Sequence, residues 1–329
     1  MYSIEDVESI VDVNKLNGKT LKISIRPTLQ CNYNCSYCIQ RTFKDFGTNL
    51  SKEQFFSFTD RLKEIIRPEI ENIFINFVGG EPTIVENLKD FIVYFSDVFK
   101  DKKITCLITT NFSKPVDYFK EITSIKNIYK FFLSVSCHDE YVVNFNTFLK
   151  KCKEVKSEKV GININLVTNE QNVITQINRF CLFTLNDIKS TLVVDKTSDV
   201  YNSLNNYYGD ILKYLITFRK GNHMLITKTG EEKNYFGFSR LVADIKEYPP
   251  KLKGFYCDAG YIFLRVNHSG EVFSCQSRND FLGDVSNFNF SNNYTLCTAK
   301  SNCCGDFTIM ARSLESIDNI KKRILSRGK

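Results

Sequence analysis

Three cysteines fall within eight residues in the run Cys31-Asn-Tyr-Asn-Cys35-Ser-Tyr-Cys38. Their thiolates can wrap one face of a compact metal centre. A closed zinc site, or an iron–sulfur cluster held by protein alone, needs four ligands. The missing ligand leaves one coordination position for a non-protein group, which is a requirement of chemistry rather than of scaffolding. A zinc site completed by a distant His or Cys, or a redox pair Cys35–Cys38, are the other readings of the same residues. A second set, Cys257, Cys275, Cys297, Cys303 and Cys304, places five of the twelve cysteines near the C-terminus. Adjacent cysteines rarely bind one centre, so four ligands with one spare is the natural count there. Cys106, Cys152 and Cys181 have no partner spacing and read as small core residues.

These residues must be positioned by a regular scaffold, and the chain repeats a short β-rich run, a polar turn and an amphipathic helix. Leu21–Arg26 alternates as a strand, and Ser51–Ile66 follows as a helix with a capping box at Ser51 and Gln54. Strands over Asn72–Val78, Ile104–Thr109, Tyr129–Ser136, Gly161–Thr168 and Ser190–Val194 alternate with helices over Val85–Phe99, Tyr118–Ile125, Tyr141–Val155 and Gln171–Phe180. Such βαβ spacing predicts an α/β fold with a parallel sheet, either a barrel or a doubly wound sheet, whose ligands bind at the C-terminal ends of the strands. Past residue 200 the repeat fades. Tyr207–Arg219 reads as helical and Gly221–Pro250 is ambiguous. Tyr261–Val266 and Glu271–Cys275 flank a hairpin turn with Gly270, and Leu314–Leu325 closes the chain as a helix. The expected divisions are an N-terminal extension over 1–20, an α/β core over 21–200, a connecting and substrate region over 201–250, and a small cysteine-rich domain over 251–329.

The strand ends carry further candidates. Asn72–Val78 runs into Gly79-Gly80-Glu81-Pro82-Thr83, where two glycines permit positive φ and close approach to a ligand, and Pro82 fixes the turn. The next strand ends in Thr109-Thr110-Asn111, and Asn111 either reaches a bound ligand or caps the turn. The one after ends in Ser134-Val-Ser136-Cys137-His138-Asp139. His138 could shuttle a proton or hydrogen-bond as a wall residue, and Cys137 could donate a hydrogen atom or simply fill the wall.

Composition limits what these sites serve. The 329 residues are 43% apolar and 25% charged, ordinary for a globular chain. Lys and Arg exceed Asp and Glu by 44 to 37, a net +7, but only the extreme C-terminus is locally basic, so nucleic acid is not expected as a partner. The start is acidic and no window approaches a membrane span, so the expected location is the cytoplasm, where the thiols stay reduced.

With Tyr37 before its third cysteine, the CxxxCxxC run after the first strand resembles the signature of the radical S-adenosylmethionine (radical SAM) superfamily. Gly79-Gly80-Glu81-Pro82-Thr83 and Thr109-Thr110-Asn111 match its GGEP(T) and TNG-type elements, with Phe112 where glycine is common. Together these span Leu21–Val194. The resemblance implies a partial (β/α)6 TIM-like barrel in which Cys31, Cys35 and Cys38 bind a 4Fe-4S cluster and S-adenosylmethionine chelates the fourth iron. Reductive cleavage then yields a 5′-deoxyadenosyl radical that abstracts a substrate hydrogen. Tyr37, Gly79, Gly80, Glu81, Asn111 and Ser136 are the implied cosubstrate contacts, with His138 and Cys137 as catalytic candidates. The C-x12-G-x4-C pattern from Cys257 to Cys275 resembles the start of SPASM and "twitch" extensions. It implies one auxiliary 4Fe-4S cluster on Cys257, Cys275, Cys297 and Cys303 or Cys304, serving electron transfer or substrate binding. The family implies oxidation, epimerisation or crosslinking of a small molecule or peptide, as in oxidoreductases and peptide maturases, and an external one-electron reductant of flavodoxin or ferredoxin type. Two readings from other classes stand beside it: a zinc-binding interaction module using both cysteine groups, and a thiol oxidoreductase using Cys35–Cys38.

Overall fold

A computed structural model of the chain describes residues 2–12, 19–38, 47–168, 171–194, 222–236, 252–275, 280–298 and 309–326. The helix expected over Tyr207–Arg219, half of Gly221–Pro250, and Cys303 and Cys304 lie outside these residues.

Six parallel strands form the centre of the main sheet in chain order: β2 (Thr20–Thr28), β3 (Asn72–Gly79), β4 (Lys103–Thr110), β5 (Lys130–Cys137), β6 (Val160–Thr168) and β7 (Lys189–Val194). The intervening helices are α1 (Lys52–Ile65), α2 (Leu88–Val98), α3 (Val116–Thr123), α4 (Phe145–Val155) and α5 (Val173–Leu185). Side chains alternate strictly across this sheet, as the pleat requires. Ile73, Ile75 and Phe77 of β3, and Phe131, Leu133 and Val135 of β5, are buried in the main apolar core together with the inner faces of the helices. The opposite face carries polar pairs: Asn165 Nδ2 donates to Ser134 Oγ at 2.8 Å and Thr191 Oγ1 to Asn163 Oδ1 at 3.3 Å. The expected capping box opens α1, with Gln54 N donating to Ser51 Oγ at 3.2 Å and Ser51 N to Gln54 Oε1 at 2.9 Å.

Two parts of the chain sit differently from the sequence expectation. The hairpin of β11 (Phe263–Val266) and β12 (Glu271–Phe273) is no separate unit: β11 pairs parallel with β2 and extends the main sheet, followed by β13 (Phe281–Asp284) and β14 (Asn287–Phe288). This covers the row of backbone donors and acceptors that β2 would otherwise expose at an edge. Gly270 makes the hairpin turn at φ +84°. The N-terminal strand β1 (Val7–Asp12) is no appendage either. It lies inside a second sheet, between β16 (Ile309–Ala311) and β8 (Asn222–Thr227), with β9 (Glu232–Phe236), β10 (Tyr256–Cys257) and β15 (Thr295–Leu296) outside them. The closing helix α6 (Leu314–Ser326) buries Ile317 and Ile320.

Cys106 and Cys152 are buried in the main core as expected, whereas Cys181 is exposed, because α5 turns Val173, Gln176 and Phe183 inward instead. Among the described residues no helix is long and apolar enough to cross a membrane.

Candidate functional site

At the C-terminal ends of β2 to β5 lies a cavity of about 580 Å³. Cys31, Cys35 and Cys38 all line it, with Tyr37. Gly79, Gly80, Glu81 and Asn111 line a second side, and Ser136 and His138 a third. Cys137 does not line it. Strand alternation sends that side chain to the helix-covered face, where it is fully buried in the core and its thiol is pushed up to about 12, so the hydrogen-donor role is corrected to packing.

The cysteine loop is held from three strand ends. At β3, Gly80 N donates to Thr28 O at 3.0 Å and Glu81 N to Gln30 O at 2.8 Å. A Cβ on Gly79 would stand 2.3 Å from Thr28 O and one on Gly80 1.8 Å from Gln30 O. The two glycines therefore admit the stem of the cysteine loop itself, where the sequence suggested an approaching ligand. At β4, Asn111 Nδ2 donates to Asn32 Oδ1 at 2.8 Å and contacts Cys31 Sγ at 3.7 Å, while its Oδ1 accepts from Ser113 N at 3.0 Å. Asn111 thus caps its turn and touches the cysteine loop at once.

Glu81 is buried, and its carboxylate accepts from Thr83 N (3.1 Å), Thr83 Oγ1 (2.6 Å), Thr110 Oγ1 (2.8 Å) and Asn111 N (2.5 Å). Burial pushes this carboxyl up, and the four donors pull the other way. It ties the β3 turn to the end of β4 and so sets where Asn111 stands. Phe112, beside it, adopts φ +61°, the left-handed conformation that glycine takes without cost, and offsets the strain by burying its ring against Phe119 and Phe148.

Of the third hold, after β5, the sequence pointed to His138 but not to Glu140 or Tyr141. His138 Nδ1 lies 2.6 Å from Tyr37 Oη and 3.4 Å from Cys35 Sγ. Glu140 accepts from Ser36 N through both oxygens, at 3.1 and 3.0 Å. Tyr141 Oη accepts from Asn34 N at 2.6 Å, and its ring stacks on Tyr33 with centroids 4.0 Å apart. Burial lowers the His138 imidazole, keeping it neutral near pH 7. Burial likewise raises the Cys31 thiol, and raises Cys35 to about 11.

Near the C-terminus Cys257, Cys275 and Cys297 are buried in one apolar cluster with Phe255 and Met310. Cys297 N donates to Phe255 O at 2.7 Å and Gly254 N to Cys297 O at 2.9 Å, which brings the Cys257 and Cys297 segments side by side.

A mononuclear zinc site would hold its donors within about 4 Å of one another, from metal–sulfur bonds of about 2.3 Å. Among the described residues no three His, Cys, Asp or Glu side chains are grouped to hold one metal ion. The first three thiols all line the cavity.

No protein-family model matches the chain. A GTP 3′,8-cyclase of Campylobacter jejuni subsp. doylei is 33% identical over 113 residues, which is 33% of this chain and 33% of that protein, so the match spans a third of the relative's length. Among solved structures, hexahistidine-tagged anSMEcpe with bound AdoMet superposes with a TM-score of 0.52 at 16% identity, covering 82% of this chain and 78% of that one. Native anSMEcpe with bound AdoMet and Kp18Cys peptide gives a TM-score of 0.52 at 17% identity with the same coverage. At these identities the likeness is one of fold: a mixed α/β chain with a large parallel sheet.

Proposed function

We propose that this chain is a radical SAM enzyme that acts in the cytoplasm on a small molecule or a peptide. The observation that carries the reading is the cavity at the strand ends, lined by the three loop thiols and by the Gly79-Gly80-Glu81 and Asn111 turns. The donor set fits a 4Fe-4S cluster with one iron left for S-adenosylmethionine. AdoMet in the anSMEcpe structures supports the same ligand here. When bound, the cluster and S-adenosylmethionine supply one-electron cleavage to a 5′-deoxyadenosyl radical that abstracts a substrate hydrogen.

The chain's own residues bind and orient. Cys31, Cys35 and Cys38 would hold the cluster as thiolates. Tyr37, Ser136, Asn111 and the Gly79–Glu81 backbone form the cosubstrate wall. His138, held neutral, can take or give a proton at Nδ1, the atom it shares with Tyr37. Cys257, Cys275 and Cys297, with Cys303 or Cys304, would hold one auxiliary 4Fe-4S cluster in a SPASM or twitch-like tail. The peptide bound to anSMEcpe supports a peptide as one substrate class, and oxidation, epimerisation or crosslinking are the outcomes such chemistry allows. An external flavodoxin- or ferredoxin-type protein would deliver the electron.

Anaerobic reconstitution followed by iron, sulfide and zinc analysis tests this. About eight irons per chain are expected, four per cluster, with an electron paramagnetic resonance signal altered by added S-adenosylmethionine. Stoichiometric zinc without iron would refute the assignment.

A further inference from the structure

Four consecutive residues after β5 divide their contacts between two partners. Asp139 faces back to α5, where it pairs with Arg179 and accepts from Asn172 Nδ2 at 3.0 Å and Gln176 Nε2 at 2.8 Å. His138, Glu140 and Tyr141 face forward onto the cysteine loop. They take its residues in turn: Asn34 N goes to Tyr141, Cys35 Sγ and Tyr37 Oη to His138, and Ser36 N and Oγ to Glu140.

We propose that His138–Tyr141 is a clasp that fixes the cysteine loop in its cluster-receiving shape, with Glu140 as the main positioning residue. The inference rests on the reading that Cys31, Cys35 and Cys38 hold a cluster. Ordering an eight-residue loop costs on the order of 1 kcal/mol per residue in backbone entropy. The clasp meets that cost before metal arrives, because the amides on either side of Cys35 are held by another element. Its base is fixed in turn by Asp139 on α5. A carboxylate beside thiolates opposes their charge, so Glu140 contributes here through geometry: two oxygens reach one amide and its own hydroxyl. Glutamine can keep an oxygen on Ser36 N; alanine cannot.

Hydrogen exchange on the metal-free full chain and chelator-driven iron loss from the reconstituted protein test this together. Glu140→Ala should speed exchange at Ser36 about tenfold, from loss of one charge-assisted hydrogen bond, and speed iron loss by a similar factor. Glu140→Gln should stay close to wild type in both. Tyr141→Phe should speed exchange at Asn34 and leave Ser36 unchanged. Wild-type exchange in Glu140→Ala, or faster exchange with unchanged iron retention, would overturn the proposal, as would a Glu140→Gln variant as impaired as alanine. A wild-type chain that takes up no iron while Glu140→Ala still speeds exchange would overturn the cluster reading and leave the clasp contacts standing.

Discussion

Phe112 offers a test in which the ordinary ranking of two substitutions should reverse. Its φ of +61° costs a side chain bearing a Cβ roughly 1–2 kcal/mol relative to glycine. The ring offsets this: it is 3% exposed, its centroid lies 4.4 Å from Phe119 and 6.0 Å from Phe148, and the Lys151 ammonium sits 4.4 Å from it. Truncation to alanine removes a buried aromatic, worth about 4 kcal/mol, and keeps the unfavourable backbone. Truncation to glycine loses the same packing but relieves the backbone, so Phe112→Gly should be about 1 kcal/mol more stable than Phe112→Ala. At an ordinary helical or extended position glycine is the less stable of the two. Urea unfolding of wild type and both variants, with equal slopes, measures the difference. A glycine variant less stable than the alanine variant would refute the argument that packing holds this turn against its backbone.

Glu81→Ala leaves two hydroxyls and two amides without their acceptor and should cost about 3–5 kcal/mol in urea unfolding; a loss below about 1 kcal/mol would mean that the carboxylate is not the tie between β3 and β4. Asp139→Ala should cost about 2–3 kcal/mol, because Arg179, Asn172 and Gln176 lose a shared partner, and should loosen the start of α5 in hydrogen exchange. In the metal-free chain the Cys35 thiol, raised to about 11 by burial, should alkylate faster with each pH step from about 8 to about 10 with no plateau, read by mass spectrometry; a plateau near pH 8.5 would contradict the burial argument. The sign carries over to stability. Below about pH 9 the thiol is neutral folded and unfolded, and its contribution is then lost as pH rises towards 11.

The α/β repeat was legible because parallel strands and their covering helices each leave a period in the chain: Ile73, Ile75 and Phe77 alternate, and Phe55, Phe58 and Leu62 recur on one helix face. The cysteine loop was legible from spacing alone. The part of Glu140 and Tyr141 in the third hold on that loop was not, because they lie about a hundred residues away and their pairing exists only once β5 ends beside β2's loop. The one local trace was a run of four polar residues directly after a strand. Parity decided His138 against Cys137: one residue along a strand end separates the cavity from the core. The place of β1 was hidden for the same reason as the clasp, since its partners β8 and β16 come from the far end of the chain. The glycines were read as admitting a ligand; the close neighbours of Gly79 and Gly80 are the backbone oxygens of Thr28 and Gln30, which lie far from them in the chain.

The proposed function rests on Cys31, Cys35 and Cys38 leaving one iron of a cluster to S-adenosylmethionine. The most direct measurement is formation of 5′-deoxyadenosine by the reconstituted protein under a strong reductant, compared with a variant carrying Cys31→Ala, Cys35→Ala and Cys38→Ala. Product is expected from the wild type and none from the variant. Equal cleavage by both, or none by a wild type that holds its full complement of iron, would contradict it.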